Sequence, residues 1–432
     1  MKKAWLQCMM LAGMLLLSAC QKEETQKVTP ALAQETKVSA QEFTAGKTGD
    51  GVWKVEKDGV SYLLFYGETR EFSGVQADYD EKTGTLTVNF HSADGAGDPL
   101  LYRLEGQPDT PHIFWDSDTA KWIESAAYVL QKRPNPELER LVDSLVDDMV
   151  ESQMPDGYFQ SHFQTVEPEN RWTRRQDHEL YCAGHLMEAV VAYYEATGKD
   201  AFLKMVCRMA DHIERVFVRE GSAKFHSPGH EEIELALIRL YRVCGEPRYL
   251  NLAEFFIRQR GANQKDQAVF TKDHGEYAQS HQPVTEQREA VGHAVRAVYL
   301  YCAIADLAEE TGDAGLREAA ERLFADIAEH KMYLTGGIGA LQQGEAFSVP
   351  YHLPNRTAYA ETCAALGLAL FAGRLASATP DARYADAAER ALFNGMLAGL
   401  SLSGDAFFYE NPLAVDRALK EVPLIHHAPL QP

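Results

Sequence analysis

Cysteine is scarce in this 432-residue chain, and it is not spaced as a framework. Seven are present: Cys8 and Cys20 near the start, then Cys182, Cys207, Cys244, Cys302 and Cys363. An odd set with no tight spacing argues against a disulfide scaffold. Most of these cysteines fall inside apolar helical patterns and read as small buried side chains. Positive charge is also short. Against 63 Asp and Glu stand 42 Lys and Arg, a formal net charge of −21. Such a polyanion repels nucleic acid and anionic lipid headgroups, so neither is expected as a partner. Neutral, hydroxyl-rich ligands remain compatible. The apolar run Ala4 to Leu16 is too short to span a bilayer, which takes about 20 residues.

That run is instead the core of an export signal over residues 1–20. Lys2 and Lys3 supply its positive start. Leu17-Ser18-Ala19-Cys20 reads as a lipobox, with small residues for the peptidase and Cys20 to receive the lipid. The expected location is the cell envelope, with the membrane reached through this N-terminal anchor. Residues 21–50 are rich in Lys, Glu, Gln, Thr and Ala and read as a tether. In residues 51–110 the period shortens to two. Val52-Trp53-Lys54-Val55 and Val60-Ser61-Tyr62-Leu63 flank Asp58-Gly59, a hairpin signal. Thr85 to Phe90 alternates in the same way, so this stretch is expected to be a small β module.

Residues 111–432 are helical and paired. Glu179 to Thr197 carries an apolar stripe and stops at Gly198, and similar short turns recur at Gly245, Gly312 and Thr379-Pro380-Asp381. Between the pairs lie long loops rich in Gly, Pro, His, aromatic and acidic residues: 154–175, 225–229, 273–286 and 331–358. Short plain turns at one end and long ionisable loops at the other describe an (α/α)6 barrel with its chemistry at the long-loop mouth. A helical solenoid is the fallback. A helix from about Thr285 is expected to turn Glu286, Glu289, His293 and Arg296 toward the cavity.

A run of motifs then appears in order. They are Asp116-Ser117-Asp118 with Lys121-Trp122-Ile123-Glu124, Pro155-Asp156-Gly157-Tyr158, and His178 through His185. Gly229-His230-Glu231-Glu232-Ile233-Glu234, Val291 through Arg296, Gly336 through Gly339, Tyr359 through Ala364 and Phe408 through Leu413 follow. From about Phe114 onward the chain resembles glycoside hydrolase family 127. That resemblance implies hydrolysis of β-L-arabinofuranosides in plant-type glycans with retention, through a cysteine thiolate held on zinc. It also implies that zinc is bound by the Glu and Cys of a Glu-x-Cys motif and by two adjacent cysteines further on, one of them the nucleophile. By motif, Glu361 and Cys363 are zinc ligands and Glu345 is the general acid/base. No cysteine follows Cys363, and Pro423 to Pro432 resembles the approach to the family's Cys-Cys pair. The expectation is therefore a chain that stops short of that pair and of the family's C-terminal β-sandwiches, and is inactive alone.

The residues support these roles on their own chemistry. Glu-x-Cys diverges on a regular helix but converges from extended backbone at a loop-to-helix junction. Without the resemblance, Cys363 would read as a small core residue and Glu361 as an acid favoured by a helix dipole. Glu345 would read as a solvated loop carboxylate; as an acid it needs its pKa raised by partial burial. His178 and His185 share a helical face about 10 Å apart, too far for one metal but within reach of one sugar. A lone helical histidine is usually structural, whereas His178, His185, His230 and His293 in family-matching positions favour hydroxyl recognition, with Tyr409 beside them. Tyr158, Trp172 and Phe347 are candidate stacking rings or core. Two alternatives stay open: a metal-independent carboxylate-pair glycosidase of the unsaturated uronyl hydrolase type, and a non-catalytic surface glycan-binding lipoprotein.

Overall fold

The computed structural model describes residues 111–262, 266, 275–404 and 406–414 in full, and the backbone of strands lying between 36 and 105. The expected export signal with Cys20, and the segment Pro423 to Pro432, lie outside the described residues. Two compact units divide at Pro111.

The N-terminal unit, Glu23–Pro111, is built of strands. β1 (Thr36–Val38), β2 (Phe43–Gly49), β3 (Val52–Lys57) and β4 (Val60–Phe65) form one antiparallel sheet in chain order. β5 (Phe72–Asp80), β6 (Thr85–Ser92) and β7 (Leu100–Glu105) form a second. The β3–β4 register closes at Lys57↔Val60, leaving Asp58-Gly59 as the two-residue connection that the hairpin signal predicts. β1 and β2 fall inside the stretch whose composition reads as a tether. Sheet pairing there overrides a composition poor in apolar residues.

The second unit is helical. Five helical hairpins follow one another among the described residues: α1 (Trp115–Lys132) with α2 (Pro136–Ser152), and α3 (Glu179–Thr197) with α4 (Ala201–Glu214). Next come α5 (Ile233–Cys244) with α6 (Pro247–Gln259), α7 (Ala294–Thr311) with α8 (Ala314–Asp326), and α9 (Thr362–Ala378) with α10 (Ala382–Arg390). The first member of each pair packs on the first member of the next, so the odd-numbered helices form an inner ring and the even-numbered an outer one. Burial agrees: α3 and α7 are apolar nearly all round, whereas α2 buries only Val142 and Val146. These are five of the six hairpins that the (α/α)6 barrel architecture comprises.

The plain turns follow from local chemistry. Gly198, Gly245 and Gly312 end α3, α5 and α7 at φ of 73°, 70° and 74°, a conformation that costs glycine little. Restarts use side-chain caps: Asn135 accepts from the Leu138 N–H, and Asp313 from that of Leu316. At the C-terminal half of the inner ring a belt of charge ties neighbours together. Arg239 of α5 meets Glu124 of α1 at 2.9 Å and also Glu188 of α3. Asp306 of α7 takes both Arg242 of α5 at 3.1 Å and Arg374 of α9 at 2.6 Å. The N-termini of the inner helices converge at the opposite end, where the long loops lie.

Candidate active site

Four of the five inner helices named carry a candidate site residue at or just before the first turn. His178 is the N-cap of α3, held in the left-handed region at φ 60°. His230 lies in a turn three residues ahead of α5, and His293 is the N-cap of α7. The expected helix from Thr285 is therefore absent: residues 285–292 are turns and bends, and α7 starts at Ala294. Gly292 explains the difference. It sits at φ 71°, and a Cβ there would lie 1.9 Å from the Glu276 carbonyl oxygen, so the chain breaks from helical geometry to pass Glu276 and Tyr277. Glu286 is consequently exposed and Glu289 pairs with Lys331 at 3.2 Å, leaving His293 and Arg296 as the members of that stripe that stay in the site.

Two arginines, Arg260 buried and Arg175 half-buried, tie the long loops together at the mouth. Arg260, fully buried, donates to the carbonyls of Ala278 at 2.7 Å and Pro228 at 2.9 Å and to Glu234 at 3.0 Å, with Glu231 2.8 Å away. The Glu231 contact meets Nη1 off its N–H directions, so it is charge pairing without a directed hydrogen bond. Arg175 donates to Ser227 and Ser280 at 3.0 and 2.7 Å.

Glu345 ends a short turn, Gln343–Glu345, at φ 52°. The strain of a non-glycine residue there is held by backbone pairing of Ala346 with Leu341 and His293. Its Oε2 lies 2.5 Å from His293 Nε2, and the Tyr359 hydroxyl donates to Oε1 at 2.7 Å. His293 Nδ1 accepts from the Val295 N–H at 3.2 Å, so its proton sits on Nε2 and points at Glu345. Burial would raise the Glu345 pKa, but the His293 ring, the Tyr359 hydroxyl and Arg296 outweigh it and hold the carboxyl below its ordinary value. The direction is opposite to the one expected of a resting acid. The loop brings two donors to the carboxylate rather than an apolar wall.

Glu361 is the N-cap of α9 in extended backbone, and Cys363 lies in the first turn, at the loop-to-helix junction that Glu-x-Cys requires. The strained Ala360 (φ 41°) precedes them. Segment 408–411 pairs with 359–362, with Thr362 N–H to Tyr409 O at 2.9 Å and Asn411 N–H to Tyr359 O at 3.1 Å, and this sets Tyr409 beside Glu361. Burial pushes the Glu361 carboxyl up to about 7, against hydrogen bonds from Tyr409 and Cys363. Its Oε2 is buried with no partner. Cys363 reaches solvent although protein surrounds it, as a side chain on a cavity wall does. Burial and the adjacent Glu361 charge push its thiol well above the ordinary value. Ligand atoms of His293, Glu345 and Glu361 lie within 4.8 Å of one another. An orphaned carboxylate oxygen beside a thiol and an imidazole fits a cation.

The four histidines are brought together. His230 stands 6.0 Å from His178 and 5.8 Å from His293, ring to ring, and Tyr181 bridges His185 and His230 at 4.5 Å each. His178 lies outside α3, so it and His185 do not share a face of one helix; Tyr181 links them instead. Burial lowers the pKa of all four, His178 to about 4, so all are neutral at pH 7. Nδ1 of His178 and Nε2 of His185 are buried without a protein partner. Neutral imidazoles with a free nitrogen suit hydroxyl groups. Tyr158, Trp172 and Phe347 prove to be core, at 1%, 7% and 6% exposure. Sequence reasoning missed Tyr277, Tyr299 and Tyr359, which line the same cluster. Tyr359 alone carried a signal, two residues before Glu361.

Comparison with known proteins agrees with this geometry. Residues 76–426 match the family described as "Beta-L-arabinofuranosidase, GH127 catalytic domain", and the chain belongs to that family. It is 39% identical over 335 residues to a non-reducing end β-L-arabinofuranosidase of Bifidobacterium longum subsp. longum, covering 73% of this chain and 51% of the relative. A GH127 β-L-arabinofuranosidase from Geobacillus stearothermophilus T6 superposes with TM-score 0.70 at 44% identity, over 73% of this chain and 52% of that one. Another GH127 β-arabinofuranosidase gives 0.65 at 40% identity, over 71% and 49%. The chain thus spans about half the length of the relatives it matches.

Proposed function

We propose that the protein carrying this domain is a retaining glycoside hydrolase acting on terminal β-L-arabinofuranosides of plant-type glycans. The observation that carries the reading is Glu345, pinned by His293 and Tyr359 within 4.8 Å of Glu361, where the helix N-termini meet. Glu345 exchanges a proton with the glycosidic oxygen, and the His293 and Tyr359 donors stabilise it whenever it is ionised. His178 and His185 offer their free nitrogens to sugar hydroxyls. Glu361 and Cys363 would hold zinc, whose chemistry there is to keep thiolate sulfur ionised at neutral pH. Cys20 in its lipobox supports attachment to the cell envelope.

The test is a panel of aryl furanosides and pyranosides with and without a chelator. Zinc-dependent cleavage confined to the β-L-arabinofuranoside is expected; preference for another glycone would refute the substrate. A second reading rests on the closeness of Glu345 and Glu361, with carboxylate oxygens within 4.8 Å, since retaining enzymes without a metal use two carboxyl groups about 5 Å apart. Turnover unaffected by chelator would favour it. Lipidation predicts labelled fatty acid on the chain that is lost in Cys20→Ser.

A further inference from the structure

Five cysteines lie in the described part of the chain, and all are free. Three have separate surroundings: Cys182 faces the Ile113 carbonyl at 3.5 Å, Cys302 that of Gly367 at 4.0 Å, and Cys363 adjoins Glu361 in the site. The remaining two face each other. Cys207, in the second turn of α4, has its sulfur 3.7 Å from that of Cys244, the last residue of α5. Both are half-buried, so a small oxidant has access while neighbouring helices hold the sulfurs in place. The pair lies at the short-turn end of the barrel, beside the Gly245 turn and Tyr249 of α6, away from Glu345.

We propose that Cys207 and Cys244 are a dithiol–disulfide site that joins α4 to α5. The two sulfurs are 37 positions apart in sequence, a spacing with no motif, and only the packing of the third pair of helices against the second aligns them. Closing the remaining gap to a bond of about 2.05 Å takes a rotamer adjustment and a small helix shift. The oxidant is a disulfide, either a small molecule such as oxidised glutathione or a thiol–disulfide oxidase. One cysteine thiolate attacks it and releases the first thiol as a mixed disulfide forms. The second cysteine thiolate then displaces the other thiol. Two cysteine protons are released to the two leaving thiolates, and two electrons pass to the oxidant. The bond closes a loop that contains His230 and the 226–232 segment held by Arg260, so oxidation stiffens the part of the barrel that presents that histidine.

The experiment compares the purified full chain, fully reduced, with the same chain equilibrated with oxidised glutathione. Thiols are counted by alkylation and cross-links are mapped by mass spectrometry after digestion. The expected result is the loss of two alkylatable cysteines relative to the reduced chain, a Cys207–Cys244 cross-linked peptide, and a rise in Tm of roughly 3–6 °C. Cys207→Ser and Cys244→Ser should each abolish both the cross-link and the Tm rise while folding normally. An unchanged count of alkylatable thiols after oxidation, glutathione adducts without a cross-link, or a Tm rise that survives Cys207→Ser would each overturn the proposal.

Discussion

Arg260→Met removes the buried cation that docks the 226–232 loop. The guanidinium is fully buried and makes three hydrogen bonds of 2.7–3.0 Å, two of them to carbonyls of other loops. Glu231 and Glu234, also buried, lie within 3.0 Å of it. Methionine fills most of the volume but leaves both carboxyls without their countercharge. Breaking a buried pair from one side costs about 3–5 kcal/mol. An unfolding entropy near 2 cal/mol/K per residue over roughly 300 residues gives about 0.6 kcal/mol/K, so Tm should fall by about 5–8 °C. The loss should also depend on pH. Burial already holds Glu231 at about 7, above its ordinary 4.5, and without Arg260 that value rises further. An acid raised in the folded state binds protons that the unfolded chain has shed, so parent and variant lose stability alike from pH 4.5 to about 7, and above that the variant alone goes on losing it, which is where the deficit grows. Differential scanning calorimetry at pH 5.5 and 8.5 should show the larger deficit at 8.5. A Tm within 1 °C of the parent, or an equal loss at both pH values, would refute the argument.

Three further outcomes follow from the same structure. Gly184→Ala places a Cβ 2.5 Å from Glu232 Cγ and 2.9 Å from the Ile233 nitrogen, forcing α3 off α5. It should cost about 1–3 kcal/mol by urea unfolding despite alanine's better helix propensity, a loss that plain propensity would turn into a gain. Glu179 accepts from the Tyr158 hydroxyl at 2.6 Å and the Trp172 N–H at 2.8 Å, yet burial still raises its pKa to about 7. Stability therefore declines between pH 4.5 and 7 through this group, and Glu179→Gln should flatten that part of the stability–pH curve; an unchanged slope would rule the assignment out. Tyr359→Phe removes a donor to Glu345, so the pH–rate limb belonging to Glu345 should move to higher pH, and a stationary limb would show that the hydroxyl does not act on it.

The barrel was legible because its punctuation is local. A glycine at the end of an apolar stripe stops a helix whatever surrounds it, as Gly198, Gly245 and Gly312 do. Glu-x-Cys was legible too, since the chemistry demands a junction and Glu361 sits at one. The entry to α7 was not: an apparent 3.6-residue stripe through Glu286, Glu289 and His293 is broken by the passage of Gly292 over Glu276, a contact between loops. The Glu345 pKa direction failed for a similar reason. Burial can be guessed from neighbours in sequence, whereas the His293 and Tyr359 donors arrive from other elements. Arg260 and the Cys207–Cys244 pair carry no signal along the chain at all.

The role of Glu345 is best measured by leaving-group dependence. In Glu345→Gln, cleavage of a β-L-arabinofuranoside with a poor leaving group should fall at least ~100-fold, while a dinitrophenyl glycoside, needing no proton, keeps most of its rate. Equal losses on both substrates, or no loss on either, would contradict a site in which Glu345 handles the departing oxygen's proton.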